Sequence, residues 1–202
     1  MKKTPISEET RVAILNAAWK LMAETRSLDV SQSKIAEAAG VSRQTVYLAF
    51  GSRAGLLTEM ARNMDQQSDH VARLVAAAQS AASGPAEFQR YLEIWLDYLP
   101  MIYPVGILLD AAALTDPEAA AAWSDRMKHS LLAGLKRVLA GLVARGETAP
   151  GIVADEAAEL IWSLVHPATW RLLVVECRWT PERFRQSRME IICATVFRGH
   201  TP

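Results

Sequence analysis

Ser31 to Phe50 reads SQSKIAEAAGVSRQTVYLAF, and the placing of its small, apolar and capping residues decides the fold of what surrounds it. Ile35, Ala36 and Ala39 give a first short helix a narrow apolar face, on which the two alanines let another backbone come close. Gly40 stands where that helix must stop, because a left-handed residue costs glycine no side-chain clash. Ser42 then starts a second helix, its hydroxyl accepting an amide of the first turn. Val30 with Ile35, and Val41 with Val46, bracket the capping residues Ser31 and Ser42 as hydrophobic staples that fix the entry angles. Val46 and Phe50, four apart, turn inward and leave Arg43, Gln44, Thr45 and Tyr47 largely outward. A helix this short is not stable alone, so neighbouring elements must hold it. A rigidly mounted helix with Arg and Gln at its amino-terminal end has the chemistry to read base edges in DNA.

The flanks extend this pattern. Ser7, followed by Glu8 and Glu9, predicts a capped, acid-rich start, and Ile14, Ala18, Leu21 and Met22 carry a first helix to about Glu24. Thr25 to Asp29 form the connection. After Phe50, Gly51-Ser52 breaks the second motif helix, and Ser52 caps a new, long one with Leu56, Leu57, Met60 and Met64 that runs toward the alanines near Ala82. Residues 11–57, with RVAILNAA, IAEAAGVSRQTVY, Phe50 and Arg53-Ala54-Gly55-Leu56-Leu57, resemble the amino-terminal domain of the TetR (tetracycline-repressor-like) family of bacterial transcriptional regulators. The pieces occur in that domain's order and spacing. Two departures stand out: Thr25-Arg26-Ser27 lacks the glycine the family often has between its first two helices, and Arg53 replaces a favoured lysine. The second keeps the charge but changes how a phosphate is held.

The whole chain has 202 residues, half of them hydrophobic, enough for one large or two modest domains. Its longest strongly apolar stretch without charge, Tyr98 to Leu109, is short and interrupted by Pro100 and Pro104, and no apolar segment follows Met1-Lys2-Lys3. Neither a signal peptide nor a membrane span is expected, and a cytoplasmic location is. Cys177 and Cys193 fit a reducing compartment, have no metal-ligand spacing, and are expected as small buried residues. The net charge of zero hides an asymmetry: residues 1–62 carry nine Lys/Arg against six Asp/Glu, so a head of +3 sits on a remainder of −3. A basic head suits a nucleic-acid partner at the amino end only.

The body predicts further helices punctuated by proline and glycine. Ser83-Gly84-Pro85 ends the linking helix and begins one with Phe88, Leu92, Trp95, Leu96 and Leu99; Pro100 and Pro104 bracket a bend; Val105 to Leu114 follow as a short apolar helix. Asp116-Pro117-Glu118 supplies a cap, a first-turn proline and a favourable acid for a long helix to Gly146. Val153 to about Cys177 is expected to kink near Pro167, and Thr180 to cap a last helix to about Arg198, with Trp179 and Phe184 as its staple.

Specific roles follow from chemistry and from the resemblance together. Arg43 and Gln44 are the candidates for bidentate base contacts, and Ser33, Thr45, Tyr47 and Arg53 for phosphate contacts, with Ser42 serving first as a cap. Leu160, Leu164 and Ala168 on one late helix, with Phe184, Ile191, Ile192 and Thr195 on the other, form wide apolar faces that the body or a second copy must cover. The resemblance implies a homodimer paired through these final helices, presenting two heads to a palindromic double-stranded operator. It also implies an inducer pocket inside the bundle. Candidates for that pocket are Trp95, Tyr98, Met101, Tyr103, Trp123, Met127, Trp162, His166 and Trp170, although each taken singly suits a plain core better.

An enzyme finds little support. Asp125 with His129, and Asp65 with Asp69 and His70, lack a second histidine or cysteine at ligand spacing, and there is no phosphate-binding glycine loop or nucleophile elbow, so no metal and no cofactor is expected. A helical ligand-binding protein or small all-α enzyme without a DNA role is the alternative, and it leaves the capped head unexplained. The reading is therefore all-α: a three-helix helix-turn-helix domain over residues 1–51, joined by a long helix to an effector-binding and dimerisation bundle over residues 52–202. Its partners are operator DNA, an unidentified small-molecule effector and a second copy of the chain.

Overall fold

The computed structural model describes residues 6–79 and 84–197, and every regular element among them is helical. The chain divides into two compact units, Met1–Gln67 with Pro104–Arg126, and Ser68–Tyr103 with Met127–Pro202.

In the first unit, α1 (Glu8–Thr25) starts on Ser7, whose hydroxyl accepts the Thr10 amide at 3.2 Å, and buries Ile14, Leu15, Ala18 and Met22 on one stripe. It ends on Arg26 at φ 51°, whose amide donates to the Met22 carbonyl. The turn without a glycine thus takes the geometry a glycine would supply, at a cost of about 1–2 kcal/mol. The next helix, α2 (Gln32–Ala38), is capped by Ser31 and closed by Gly40 at φ 66°. Then α3 (Arg43–Phe50) is capped by Ser42, which accepts the Thr45 amide at 3.0 Å, and closed by Gly51 at φ 70°. It hands over to α4 (Arg53–Gln67), where Gly55 permits a close approach: a Cβ there would lie 2.4 Å from the Phe50 carbonyl oxygen. The later part of this unit holds α7 (Pro117–Ser124), capped by Asp116, whose Oδ1 accepts the amides of Glu118 at 2.9 Å and Ala119 at 3.2 Å.

The second unit is built from α5 (His70–Gln79), the first turns of α6 (Pro85–Ala112), α8 (Ala133–Ala144), α9 (Ala154–Leu164), α10 (Pro167–Trp170) and α11 (Pro181–Phe197). Phe88, Leu92, Trp95, Leu99, Leu135, Leu139, Ile161 and Phe184 form its core. Thr180 caps α11 as expected, accepting the Arg183 amide at 3.2 Å. Trp179, expected in a staple, lies under the Arg183 guanidinium, 4.0 Å from Cζ to the ring centre.

The course of the helices differs from the sequence reading at four places. The linking helix stops at Gln67, Asp69 turns left-handed at φ 56°, and Ser68 Oγ meets His70 Nδ1 at 2.8 Å before α5 begins. The expected run on to Ala82 and the break at Ser83 lie outside the described residues. Secondly, α6 is one helix through Pro100 and Pro104, with no bend separating two helices. Both rings face water, while Leu99, Ile102, Val105 and Leu109 are buried. An interior proline costs about 3 kcal/mol, and fully burying each such side chain returns about 1.5–3 kcal/mol, so packing wins. This helix is long and apolar enough to cross a membrane, but 56 % of its most apolar window is buried, which makes it a core helix. Thirdly, the run expected as one helix after Asp116 passes through a π-helical turn, Asp125–Leu132, between α7 and α8. Finally, the kink expected near Pro167 is a full break: His166 takes φ −68°, ψ 144°, its Nδ1 accepts the Ala168 amide at 3.2 Å, and α10 leads into a second π-helical turn, Arg171–Glu176. Of the cysteines, Cys177 is exposed and Cys193 half-buried, not the buried pair expected.

Candidate nucleic-acid interface

The outward face of α3 is set by what holds its inward face. Val46 and Phe50 are buried, against exposed Arg43 and Gln44 and a Tyr47 that is 60 % exposed. Neither Arg43 nor Gln44 is engaged by another described residue. Thr45 is half-buried and shares a 2.8 Å hydrogen bond with the Ser42 hydroxyl, so both are first of all parts of the cap. Ser33 is exposed on α2.

A mount that the sequence reading missed is Arg11 on α1. Its guanidinium lies over the Phe50 ring, 4.8 Å from Cζ to the centroid, donates to the Ala49 carbonyl at 2.5 Å, and pairs with Glu59 of α4. One side chain therefore ties the end of α3 to both α1 and α4. Asn16 adds a second tie from α1, its Oδ1 accepting from Asn63 at 2.9 Å and Gln67 at 2.5 Å.

Arg53, expected to meet phosphate, is engaged within the unit. Its Nη1 donates to Asp116 Oδ2 at 2.7 Å and to Glu118 Oε2 at 3.1 Å. Partial burial works against the Arg53 cation, but the bonds and charges of the two carboxylates outweigh it and raise its pKa. The Arg53 hydrogen bond in turn, helped by the Ala119 amide, holds the Asp116 carboxyl below its ordinary range. Further along, Arg62 grips Asp125 through Nε at 3.0 Å and Nη2 at 2.9 Å, and Asp65 meets Arg126 at 2.8 Å in a nearly dry setting. These pairs account for Asp65 and Asp125, two carboxylates of the loose clusters noted in the sequence.

The aromatic candidates for an effector pocket are spread over separate packing groups. In the first unit, Trp123 is buried and donates to Asp110 Oδ1 at 2.8 Å. In the second, Trp95 donates to the Val165 carbonyl at 3.0 Å and tilts against Tyr98, whose ring stacks on His70 at 3.5 Å. Tyr103 meets Trp170, and Trp170 meets Phe184 edge-on at 5.1 Å. Trp162 stands edge-on to His166 at 5.3 Å. Met127 is buried and Met101 is 45 % exposed. A cleft of about 210 Å³ in this unit is shaped by other residues: Val71, Leu74, Tyr91, Leu131, His129 and Arg137, beside Gly134, where a Cβ would stand 2.2 Å from the Tyr91 hydroxyl. Gly134 and the π-helical turn help to shape this cleft, and neither has an aromatic signature.

The expected dimer face needs correction. Phe184 and Ile192 are fully buried within the chain, on a stripe with Arg188 and Val196 that packs inward. Leu160 and Ile191 are exposed, Leu164, Ala168 and Thr195 half-buried, and Leu172 and Val175 add exposed apolar surface. Arg188 on the buried stripe donates to Ser187 Oγ at 3.1 Å, leaves Nε without a hydrogen-bond partner among the described residues, and is pushed down in pKa by burial.

A capped two-helix unit braced by α1 and α4 is a helix-turn-helix arrangement. Residues 14–60 match the family described as bacterial regulatory proteins, tetR family. It is 36 % identical over 118 residues to the HTH-type transcriptional repressor LfrR of Mycolicibacterium smegmatis, covering 56 % of this chain and 57 % of that protein. The match thus spans little more than half of that relative. Among solved structures, a TetR-family transcriptional regulator from Rhodococcus sp. superposes with a TM-score of 0.74 at 21 % identity, covering 94 % of this chain and 99 % of that one. The regulator FadR from Bacillus subtilis, in complex with stearoyl-CoA, gives 0.72 at 20 % identity over 89 % and 96 %.

Proposed function

We propose that the chain is a sequence-specific transcriptional regulator, a repressor released from a palindromic operator when a small molecule occupies its bundle. The observation that carries this reading is α3 itself: Arg43 and Gln44 exposed and unengaged, at the amino-terminal end of a helix whose other face is locked by Val46, Phe50 and Arg11. Residues 1–51 read DNA, with Arg43 and Gln44 on base edges and Ser33, Thr45 and Tyr47 on phosphates, joined by Arg53 at the start of α4. Residues 52–202 bind the effector and dimerise through the face carrying Leu160, Leu164, Ala168, Ile191 and Thr195. Two α3 helices must reach major grooves about 34–36 Å apart. An effector that favours a bundle shape spoiling that spacing weakens DNA binding, and by linkage DNA weakens effector binding equally. The cleft beside Gly134 is the effector site this reading favours. Its exposed His129 and Arg137, engaged by no other described residue, select an anionic ligand with a short apolar body.

Selection from random duplexes tests the reading. It should enrich a palindrome, and Gln44→Ala or Arg43→Ala should relax preference at particular base positions by about 1–3 kcal/mol. No enrichment sinks the reading; uniform weakening removes the base-reading role.

A further inference from the structure

Arg53 opens α4 only three positions beyond the end of the recognition helix, and its side chain is 38 % exposed, so a phosphate can approach it without unfolding. The same Nη1 that would meet a phosphate is occupied by two carboxylates. Carboxylate and phosphate are alternative acceptors for one guanidinium, each forming charge-assisted bonds of similar geometry. We propose that Asp116 and Glu118 act as an internal substitute for DNA phosphate, so that the seating of the start of α7 on Arg53 sets the DNA affinity. This rests on the DNA-binding reading and adds to it the residues that oppose binding.

The construction of α7 suits such an exchange. Asp116 divides its work between its two oxygens: Oδ1 caps α7 through the Glu118 and Ala119 amides, and Oδ2 holds Arg53. Surrendering Arg53 therefore leaves the cap in place. The three contacts from α4 are graded in exposure. Arg53 with Asp116 and Glu118 is partly open, Arg62 with Asp125 is open, and Asp65 with Arg126 is buried, at 10 % and 2 % exposure. Breaking a buried pair costs far more than exchanging an open one. The far end of α7 stays fixed while its first turn trades partners. The chain from 116 onward also runs through the π-helical turn to residues that line the cleft, so one continuous stretch carries both the carboxylates and part of the cleft lining.

The test is a thermodynamic cycle on a fluorescently labelled mixed-sequence duplex, about three helical turns long, read by anisotropy across a salt series. Asp116→Asn with Glu118→Gln keeps the capping oxygen and removes both charges. It should tighten binding about two- to tenfold and steepen the salt slope by about 0.9 for each head that gains a phosphate. In an Arg53→Ala background the same pair of substitutions should change nothing. A gain that persists without Arg53 shows general charge removal only and overturns the exchange. No gain in either background, with helical content intact by circular dichroism, also overturns it. A chain that binds no duplex in any form, even at low salt, fails the DNA-binding reading and the exchange with it.

Discussion

Residues 31–50 and residues 117–144 are both assembled from short helical pieces, but different forces end those pieces. In the first stretch α2 and α3 each begin on a capping serine and each is followed by a glycine at positive φ. In the second, Asp116 ahead of α7 and Gly146 at φ 68° after α8 mark the outer ends, but nothing of the kind marks the boundary within; α8 begins on Leu132 in helical geometry with no capping bond, straight out of a π-helical turn. The amount of burial explains the contrast. The buried residues of α2 and α3 are Ile35, Ala36, Val46 and Phe50, whereas the later stretch buries Trp123, Met127, Leu131, Leu135, Leu139 and Leu142 among others. Where little apolar surface is available, the chain must state its boundaries locally; where much is available, packing decides and local signals are overridden.

The largest effect expected from this contrast is in the thinly packed region. Phe50→Ala should cost about 3–5 kcal/mol and remove the platform under Arg11, so amide exchange in α2 and α3 should accelerate while α8 stays protected. Equal loss in both regions would dissolve the contrast. Next in size is Gly55→Ala, which helix propensity alone would favour by about 1 kcal/mol. Because the new Cβ meets the Phe50 carbonyl oxygen at 2.4 Å, thermal unfolding should instead show a loss of about 1–3 kcal/mol. On the densely packed side, Pro104→Ala restores an α6 hydrogen bond at an exposed position and should add about 1–2 kcal/mol after the unfolded chain's gain in freedom is deducted; a lower melting temperature would mean that the proline shapes α6 and is not merely tolerated. Smallest is Ser42→Ala, a lost cap worth about 1 kcal/mol, visible as faster exchange at the first amides of α3.

The same contrast explains what the sequence made legible. Ser7, Ser31, Gly40, Ser42, Asp116 and Thr180 each act on neighbours within a few positions, and each performs the capping or turning role read from the chain. Outward Arg43, Gln44 and Tyr47 followed from a period of 3.6 residues. Arg11 over Phe50 and Arg53 between Asp116 and Glu118 depend on residues 38 to 65 positions away, and no local pattern announces them. Ser68-Asp69 ends α4 with no proline or glycine, because Asp69 takes the left-handed conformation itself. On α11 the apolar face was visible, but not its division into a stripe turned inward, Phe184 and Ile192 with Arg188 between them, and an exposed Ile191. Hydrophobicity alone does not distinguish a core from an interface.

The π-helical turn at 125–132 also bears on how this protein can vary in length. An i→i+5 turn holds a residue more than an i→i+4 turn, so a single deletion inside it can be absorbed by reversion to ordinary helix, with the hydrogen bonding on either side kept. The same deletion inside α3 would rotate every following side chain by about 100° and break the alignment by which Val46 and Phe50 are buried while Arg43 and Gln44 face outward. Homologous chains that gain or lose one position should therefore do so in that turn, and keep the spacing from Ser31 to Phe50 unchanged.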